Sequence, residues 1–172
     1  MRTAVPLTQN PLAPGLFAEA RPNAETRIRA VGFPQRELLL RMYDRFDPKG
    51  AALGLPPHMP ETRRAWVETA LGHRTNVAAF SPAGEIVGHS FLAIGKPGHA
   101  ELAVFVHQES RRKGVGSALV KSVLESARAA ALRRVWGVIA SDNRAALRLL
   151  ERCGFRLTNS QVHEIELQID LP

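Results

Sequence analysis

Apolar positions along this chain recur now at every second residue and now at a spacing near 3.6, and the switches divide it into strands and helices. ETRIRAVG (25–32) reads as a first strand, and RELLLRMYDRF (36–46) puts Leu38, Leu39, Met42 and Phe46 on one helical face. KGAALGLPPHMP (49–60) breaks the pattern with three prolines and two glycines. In ETRRAWVETAL (61–71) a second helix would turn Ala65, Trp66 and Ala70 inward. NVAAF (76–80) and EIVGHSFLAIG (85–95) flank SPAG, which is a hairpin signal. ELAVFVH (101–107) is almost continuously apolar, as expected of a strand buried on both faces.

Val115, Leu119, Val123, Ala127 and Ala131 then repeat with helical spacing, which predicts a helix from Gly114 to about Ala131. RRVWGVIA (133–140) returns as a strand, and strand, helix, strand in that order implies a right-handed crossover between parallel neighbours. DNRAALRLLERCGF (142–155) predicts a last helix with Ala146, Leu150 and Cys153 inward and Gly154 as its stop. The tail VHEIELQIDL (162–171) alternates as an edge strand would. Hairpins feeding a parallel crossover give an α/β fold class: a central mixed β-sheet with helices on both faces. No internal repeat or second domain shows, so residues 26–172 read as a single domain.

The N-terminal residues 1–25 read as a loosely ordered arm. Arg2 before apolar residues and Ala18-Glu19-Ala20 imitate a secretion signal, but Pro6, Pro11 and Pro14 interrupt the apolar run such a signal needs. Together with a single cysteine, Cys153, which excludes an internal disulfide, this points to a cytoplasmic protein. With 172 residues, 45% of them hydrophobic, the chain can bury one core, and its formal charge of +7 draws polyanions without specifying which.

The chemistry-bearing candidates are few. Gly114 is not followed at the required spacing by the Gly-Lys-Ser/Thr of a nucleotide-binding P-loop. Leu119 stands where a dinucleotide fingerprint needs a small third residue. The six histidines show no paired ligand spacing, so no metal site is expected, and no serine nucleophile elbow is present. What remains is ESRRKGVGSAL (109–119), in which Arg111, Arg112 and Lys113 lead into Gly114 and Gly116 between a buried strand and a helix. Glycines there allow positive φ or close backbone approach, successive N–H groups converge, and the helix N-terminus adds partial positive charge. That place suits an anion; a solvated basic run with a glycine turn is the plainer alternative.

Arg111-x-x-Gly114-x-Gly116 after a buried strand resembles the GNAT acyltransferase superfamily, in which this pattern binds the pyrophosphate of acyl-CoA. NRAALRLLERCGF, with Asn143, Ala146, Leu149, Gly154 and Phe155 in place, is similar to the second segment of that family. The resemblance covers roughly residues 26–168 and implies the GNAT fold. It also implies acetyl-CoA as acyl-donor cosubstrate, held by the main chain of Val104, Phe105 and Val106, by Arg111, Arg112, Lys113, Gly114, Val115, Gly116 and Ser117, and by the Asn143 side chain. Merely capping its helix, as Ser141 and Asp142 also could, is the lesser alternative for Asn143.

Glu101 interrupts the apolar strand that runs into this loop. Solvation of a strand-end glutamate is the ordinary case. In bacterial protein lysine acetyltransferases of the GNAT family, the nearest in motif, a similar strand carries a glutamate general base, and the resemblance implies that role for Glu101. Near Phe105 or Val106 it implies a backbone N–H for the thioester oxygen. His107 shares the face of Glu101 by strand alternation unless a bulge, which the family tends to have there, breaks the parity. Leu150 occupies the place where many members carry a tyrosine that protonates the departing thiolate.

These residues point to an N-acetyltransferase that moves acetyl directly from acetyl-CoA to a primary amine, either a protein lysine or a small molecule. Two alternatives stand beside it: a catalytically silent CoA-binding sensor module, which Leu150 would suit, and a basic nucleic-acid-binding domain. The second lacks a stacking platform, since only 6% of residues are aromatic. No membrane partner is expected, and the oligomeric state, a dimer among the options, is left open.

Overall fold

A computed structural model describes residues 26–172; the N-terminal arm predicted for residues 1–25 lies outside them. The described chain forms strand β1 (Arg27–Ala30), helices α1 (Arg36–Asp44) and α2 (Pro60–Leu71), then strands β2 (Thr75–Phe80), β3 (Ile86–Ile94) and β4 (His99–Val106). Helix α3 (Val115–Ala129), strand β5 (Arg134–Ala140), helix α4 (Arg144–Arg152), and strands β6 (Arg156–Ser160) and β7 (Glu164–Asp170) complete it. All seven strands join one sheet in the order β1-β2-β3-β4-β5-β7-β6, in which β4 and β5 are parallel and every other neighbour is antiparallel.

Alternation along the strands sends side chains to two cores. Val77, Ala79, Leu92, Ala100 and Leu102 meet Val115, Leu119, Val120 and Val123 of α3 and Leu150 of α4 on one face. On the other, Ala78, Phe91 and Phe105 pack under Leu39, Met42 and Tyr43 of α1 and Val67, Ala70 and Leu71 of α2. Helices thus cover both faces, as the mixed α/β pattern predicts.

Helix ends follow local chemistry. Gly154 takes φ +93° after α4, its N–H donating to Glu151 O and that of Phe155 to Leu150 O, which closes the helix as a Schellman turn. α2 differs from its sequence reading: Ala65 is exposed, and the inward positions are Arg63, Val67, Ala70 and Leu71 with Trp66 half-buried. Arg63 goes inside because its guanidinium donates to Asp44 Oδ1 and to the carbonyls of Pro57 and His58, so its charge and hydrogens are matched.

The tail is also placed differently. β7 is not the edge: it lies between β5 and β6, and the edge is β6, which the sequence reading omitted. Every residue of β6 is exposed, so RLTNS carries no burial pattern by which alternation could have revealed it. In the middle of the sheet, β3 and β4 pair without a register shift from Gly88–Val106 to Ile94–Ala100, so the bulge expected there is absent. The shifts fall instead at Ala79/Phe80 and at Leu157/Asn159.

Candidate active site

The parallel pairing of β4 with β5 consists of His99–Arg134, Ala100–Val135 and Glu101–Trp136, and goes no further. Both strands continue, to Val106 and Ala140, so the sheet opens between them just past Glu101. This explains a discrepancy with the apolar run 101–107. Leu102 and Phe105 are buried, but Ala103, Val104 and Val106 are only half-buried because no neighbour closes over them.

The opening also exposes main chain. His107 N–H donates to Val87 O, and in an unbroken antiparallel register alternate residues face the same neighbour, so the Phe105 amide is turned to β3. The polar groups of Val104 and Val106 are therefore turned the other way, towards the gap. Two contacts agree: Ser90 Oγ reaches Ala103 O on the β3 side, while Val106 O is free of β3 and accepts from Arg111 Nε at 3.0 Å. Of the two positions suggested for a carbonyl-oxygen donor, Val106 faces the gap and Phe105 does not.

At the end of β4 the chain passes through residues 107–114 into α3. Gly114 adopts φ +81° and caps the helix, and Arg112 sits at φ +59°, also left-handed. The first helical bond there is Ala118 N–H to Gly114 O. Consequently the N–H groups of Arg112, Lys113, Gly114, Val115, Gly116 and Ser117 have no hydrogen-bond acceptor among the described residues. Such a consecutive run at a helix N-terminus, with exposed Arg112 and Lys113 alongside, has the donors and charge to take phosphate oxygens. The residues present fit the pyrophosphate of a CoA thioester.

Gly116 serves a different purpose from Gly114. A Cβ on it would stand 3.0 Å from Leu149 Cδ2 and 3.6 Å from Val106 Cγ2, so it permits close packing of α3, α4 and the end of β4. Arg111 is likewise drawn elsewhere. Its guanidinium donates to Val106 O and to Asp47 O at 2.9 Å and lies over the Phe46 ring, and its N–H points to Gln108 O. Asn143 caps α4 through Oδ1, which accepts from Ala146 N–H at 3.0 Å, while its Nδ2 hydrogens have no partner among the described residues.

Glu101 lies at the mouth of the gap. By register its side chain shares a face with Ala93 and Trp136, its cross-strand neighbours, and with Ala103 and Phe105, the face under α1 and α2. It is exposed, yet the protein around it desolvates the carboxyl enough to raise its pKa above the ordinary value. The apolar cluster beneath α1 and α2 stops at β4. Beyond it, the same face of β5, β7 and β6 holds a small hollow lined by Val138, Asn159, Gln161, Glu164 and Glu166, which depends on the strand that sequence reading missed.

The other residues singled out in the sequence lie in the core or at its edge. Leu150 is 2% exposed and its Cδ1 lies 3.9 Å from where a Cβ on Gly137 would be, filling the floor of the β4–β5 opening. Burial raises the pKa of the half-buried Cys153 thiol, against smaller opposing effects from Lys121 and Arg152, which suits a space-filler rather than a nucleophile. His107 is buried with Nε2 unpartnered among the described residues, and Nδ1 lies 3.8 Å from Glu109. No helix among the described residues is long and apolar enough to cross a membrane.

A mixed sheet opened between two parallel strands, with an amide cradle at the head of the crossover helix, defines the acyltransferase class to which the two sequence motifs pointed. The chain belongs to the acetyltransferase (GNAT) family, whose model matches residues 38–155. It is 33% identical over 103 residues to an L-methionine sulfoximine/L-methionine sulfone acetyltransferase of Pseudomonas aeruginosa, and that match takes in 56% of this chain and 59% of the relative. A protein of the same description from Pseudomonas paraeruginosa is 32% identical over the same length. The chain thus spans less than two thirds of the curated relatives it matches.

Among solved structures, the GNAT domain of S. lividans PAT superposes with a TM-score of 0.75 at 22% identity, covering 85% of this chain and 90% of that one. A GNAT superfamily phosphinothricin acetyltransferase from Sinorhizobium meliloti, in complex with AcCoA, gives 0.72 at 16%, covering 86% and 89%. At these identities the likeness is one of fold.

Proposed function

We propose that this protein is an N-acetyltransferase that moves acetyl from acetyl-CoA directly to a primary amine, with Glu101 as general base. The observation that carries the reading is the continuity of the site. The free amides of residues 112–117, the gap-facing main chain of Val104 and Val106, and the Glu101 carboxylate follow one another along a single strand and its loop. Acetyl-CoA supplies an acyl group already activated as a thioester; the protein supplies the rest. The cradle takes the phosphates, and the Val106 amide faces the place where negative charge grows on the carbonyl oxygen.

An amine acceptor is mostly ammonium near neutral pH and cannot attack until it loses a proton. Glu101 takes that proton, directly or through a water, and its raised pKa makes it a better acceptor than an ordinary carboxylate. No side-chain acid stands at Leu150, and a thiol pKa of about 8.5 leaves the thiolate able to depart and collect a proton from water. For the acceptor, the names of the curated relatives support a small amino-acid-like amine over a protein lysine.

The test is single-turnover acetyl transfer from about pH 6 to 9.5, across the range where amines ionise, to a panel holding methionine sulfoximine, methionine sulfone, other small amines and lysine peptides. Glu101→Gln is expected to lower the rate about 10²- to 10⁴-fold at low pH and to recover as the acceptor deprotonates by itself. Because the substitution removes a desolvated charge, stability at neutral pH should not fall. Equal rates for both proteins at every pH would remove Glu101 from the mechanism, and binding of CoA without transfer to any amine would favour the sensor module.

A further inference from the structure

The turn between β4 and α3 touches the chain leaving α1 through two side chains, those of Gln108 and Arg111. Gln108 Nε2 donates to Arg45 O at 2.9 Å, and Gln108 Oε1 accepts from Asp47 N–H at 3.0 Å. Arg111 Nη2 donates to Asp47 O, and its guanidinium lies 5.4 Å from the centroid of Phe46, whose ring packs on Phe105 and Tyr43. Through Nε the same guanidinium holds Val106 O, at the end of the strand whose amides face the gap. Residues 45–47 are thus gripped through backbone N–H, backbone carbonyls and an aromatic ring. None of those contacts depends on the identity of Arg45 or Asp47.

Residues 45–47 also begin the turn-rich segment that runs to Met59. That segment rests on the same face of the sheet as Glu101: Ala52 and Leu55 pack against the cluster holding Phe91 and Phe105, and Arg63 fixes its far end through Pro57 O and His58 O. One end is therefore anchored in α2 and the other in the phosphate loop. A loop with six N–H groups unpaired within the described residues, and a left-handed arginine, exchanges water for fixed acceptors when an anion fills it. Ordering of that loop, which starts at Arg112, reaches Arg111 and Gln108 through one to four residues of backbone.

We propose that Gln108 and Arg111 are positioning residues that couple the donor-phosphate loop to residues 45–59, so that binding of the CoA phosphates orders the acceptor side of the site. The proposal rests on the donor cradle and the Glu101 base proposed above, and takes residues 45–59 as the acceptor side because they lie on the sheet face that Glu101 shares. By linkage the acceptor tightens the donor in return.

Amide hydrogen exchange on the whole chain, with and without CoA, reads the coupling directly. In the wild type, CoA is expected to slow exchange in residues 112–117 and also in 45–59. In Gln108→Ala the loop should still be protected by CoA, with affinity for CoA within about threefold, and protection of 45–59 should be lost. The apparent acceptor affinity should then fall by about 5- to 150-fold, the usual span of coupling between sites, with acceptor KM moving more than donor KM. Gln108→Glu, which keeps the acceptor oxygen for Asp47 N–H but loses the donor to Arg45 O, should give an intermediate loss. Protection of 112–117 without 45–59 in the wild type, or a Gln108→Ala variant with unchanged acceptor kinetics, overturns the coupling. Absence of any CoA protection at 112–117 overturns the donor-site reading itself, and the coupling with it.

Discussion

His89 should make the fold acid-sensitive in a range that matters for any assay of this protein. It is wholly buried on β3, between Tyr43 of α1 and Asn76 of β2. Both Asn76 Nδ2 hydrogens are spent on Ala70 O and His73 O, so Asn76 Oδ1 must accept and His89 Nε2 must carry its hydrogen. Nδ1 is then bare and accepts from Tyr43 O–H at 2.8 Å. Protonating Nδ1 would put a charge among Tyr43, Phe91 and the surrounding rings and orphan the hydroxyl hydrogen, so burial lowers the His89 pKa from 6.5 to about 3.

The unfolded chain takes up this proton below about pH 6.5 and the folded one does not, so stability is complete above that pH and is lost on acidification towards 3. Each pH unit of that interval is worth about 1.4 kcal/mol. Between pH 7 and 5 the loss is about 2 kcal/mol, or about 4–8 °C in Tm for a domain of this size. Glu101 acts in the opposite sense, since its raised pKa lets the folded state gain stability as pH falls through it. Thermal denaturation of the wild type and of His89→Gln at constant ionic strength separates the contributions. The variant should start less stable at pH 7 and show a much flatter profile. A wild-type Tm unchanged from pH 7 to 5, or an equal slope in the variant, would refute the assigned tautomer and its burial.

The two loop glycines should part company. Gly114→Ala forces a side chain into φ +81°, costs about 1–2 kcal/mol and should weaken CoA binding by calorimetry. Gly116→Ala presses only on the Leu149 methyl, gains helix propensity and should leave CoA affinity near wild type. Leu150→Tyr should lower Tm by about 2–12 °C, from about 1–3 kcal/mol of overpacking in the buried floor of the opening. Among molecules that stay folded, the proposed mechanism predicts no slowing of transfer, because it uses no side-chain acid at that position.

Local pattern carried much of this protein. The periodicity of Val115, Leu119, Val123 and Ala127 is the buried stripe of α3, and Gly154 stops α4, because helix faces and caps depend on neighbours within a few residues. The loop proposed to hold the donor phosphates was legible for the same reason: its unpaired amides follow from a left-handed glycine set directly before a helix. Other features depend on partners far away in the chain. Ala65 and Arg63 exchanged places because Asp44 and two carbonyls of the preceding segment satisfy the arginine. β6 became the edge because β7 pairs on both sides, which an exposed RLTNS cannot announce. The opening beside Glu101 comes from parallel strands diverging after three pairs, and Arg111 was claimed by Asp47 and Phe46, sixty-odd residues before it. Residue types thus announced the chemistry available, but which amides stayed free, and which charged groups were already spoken for, was decided by long-range pairing that no short window of sequence contains.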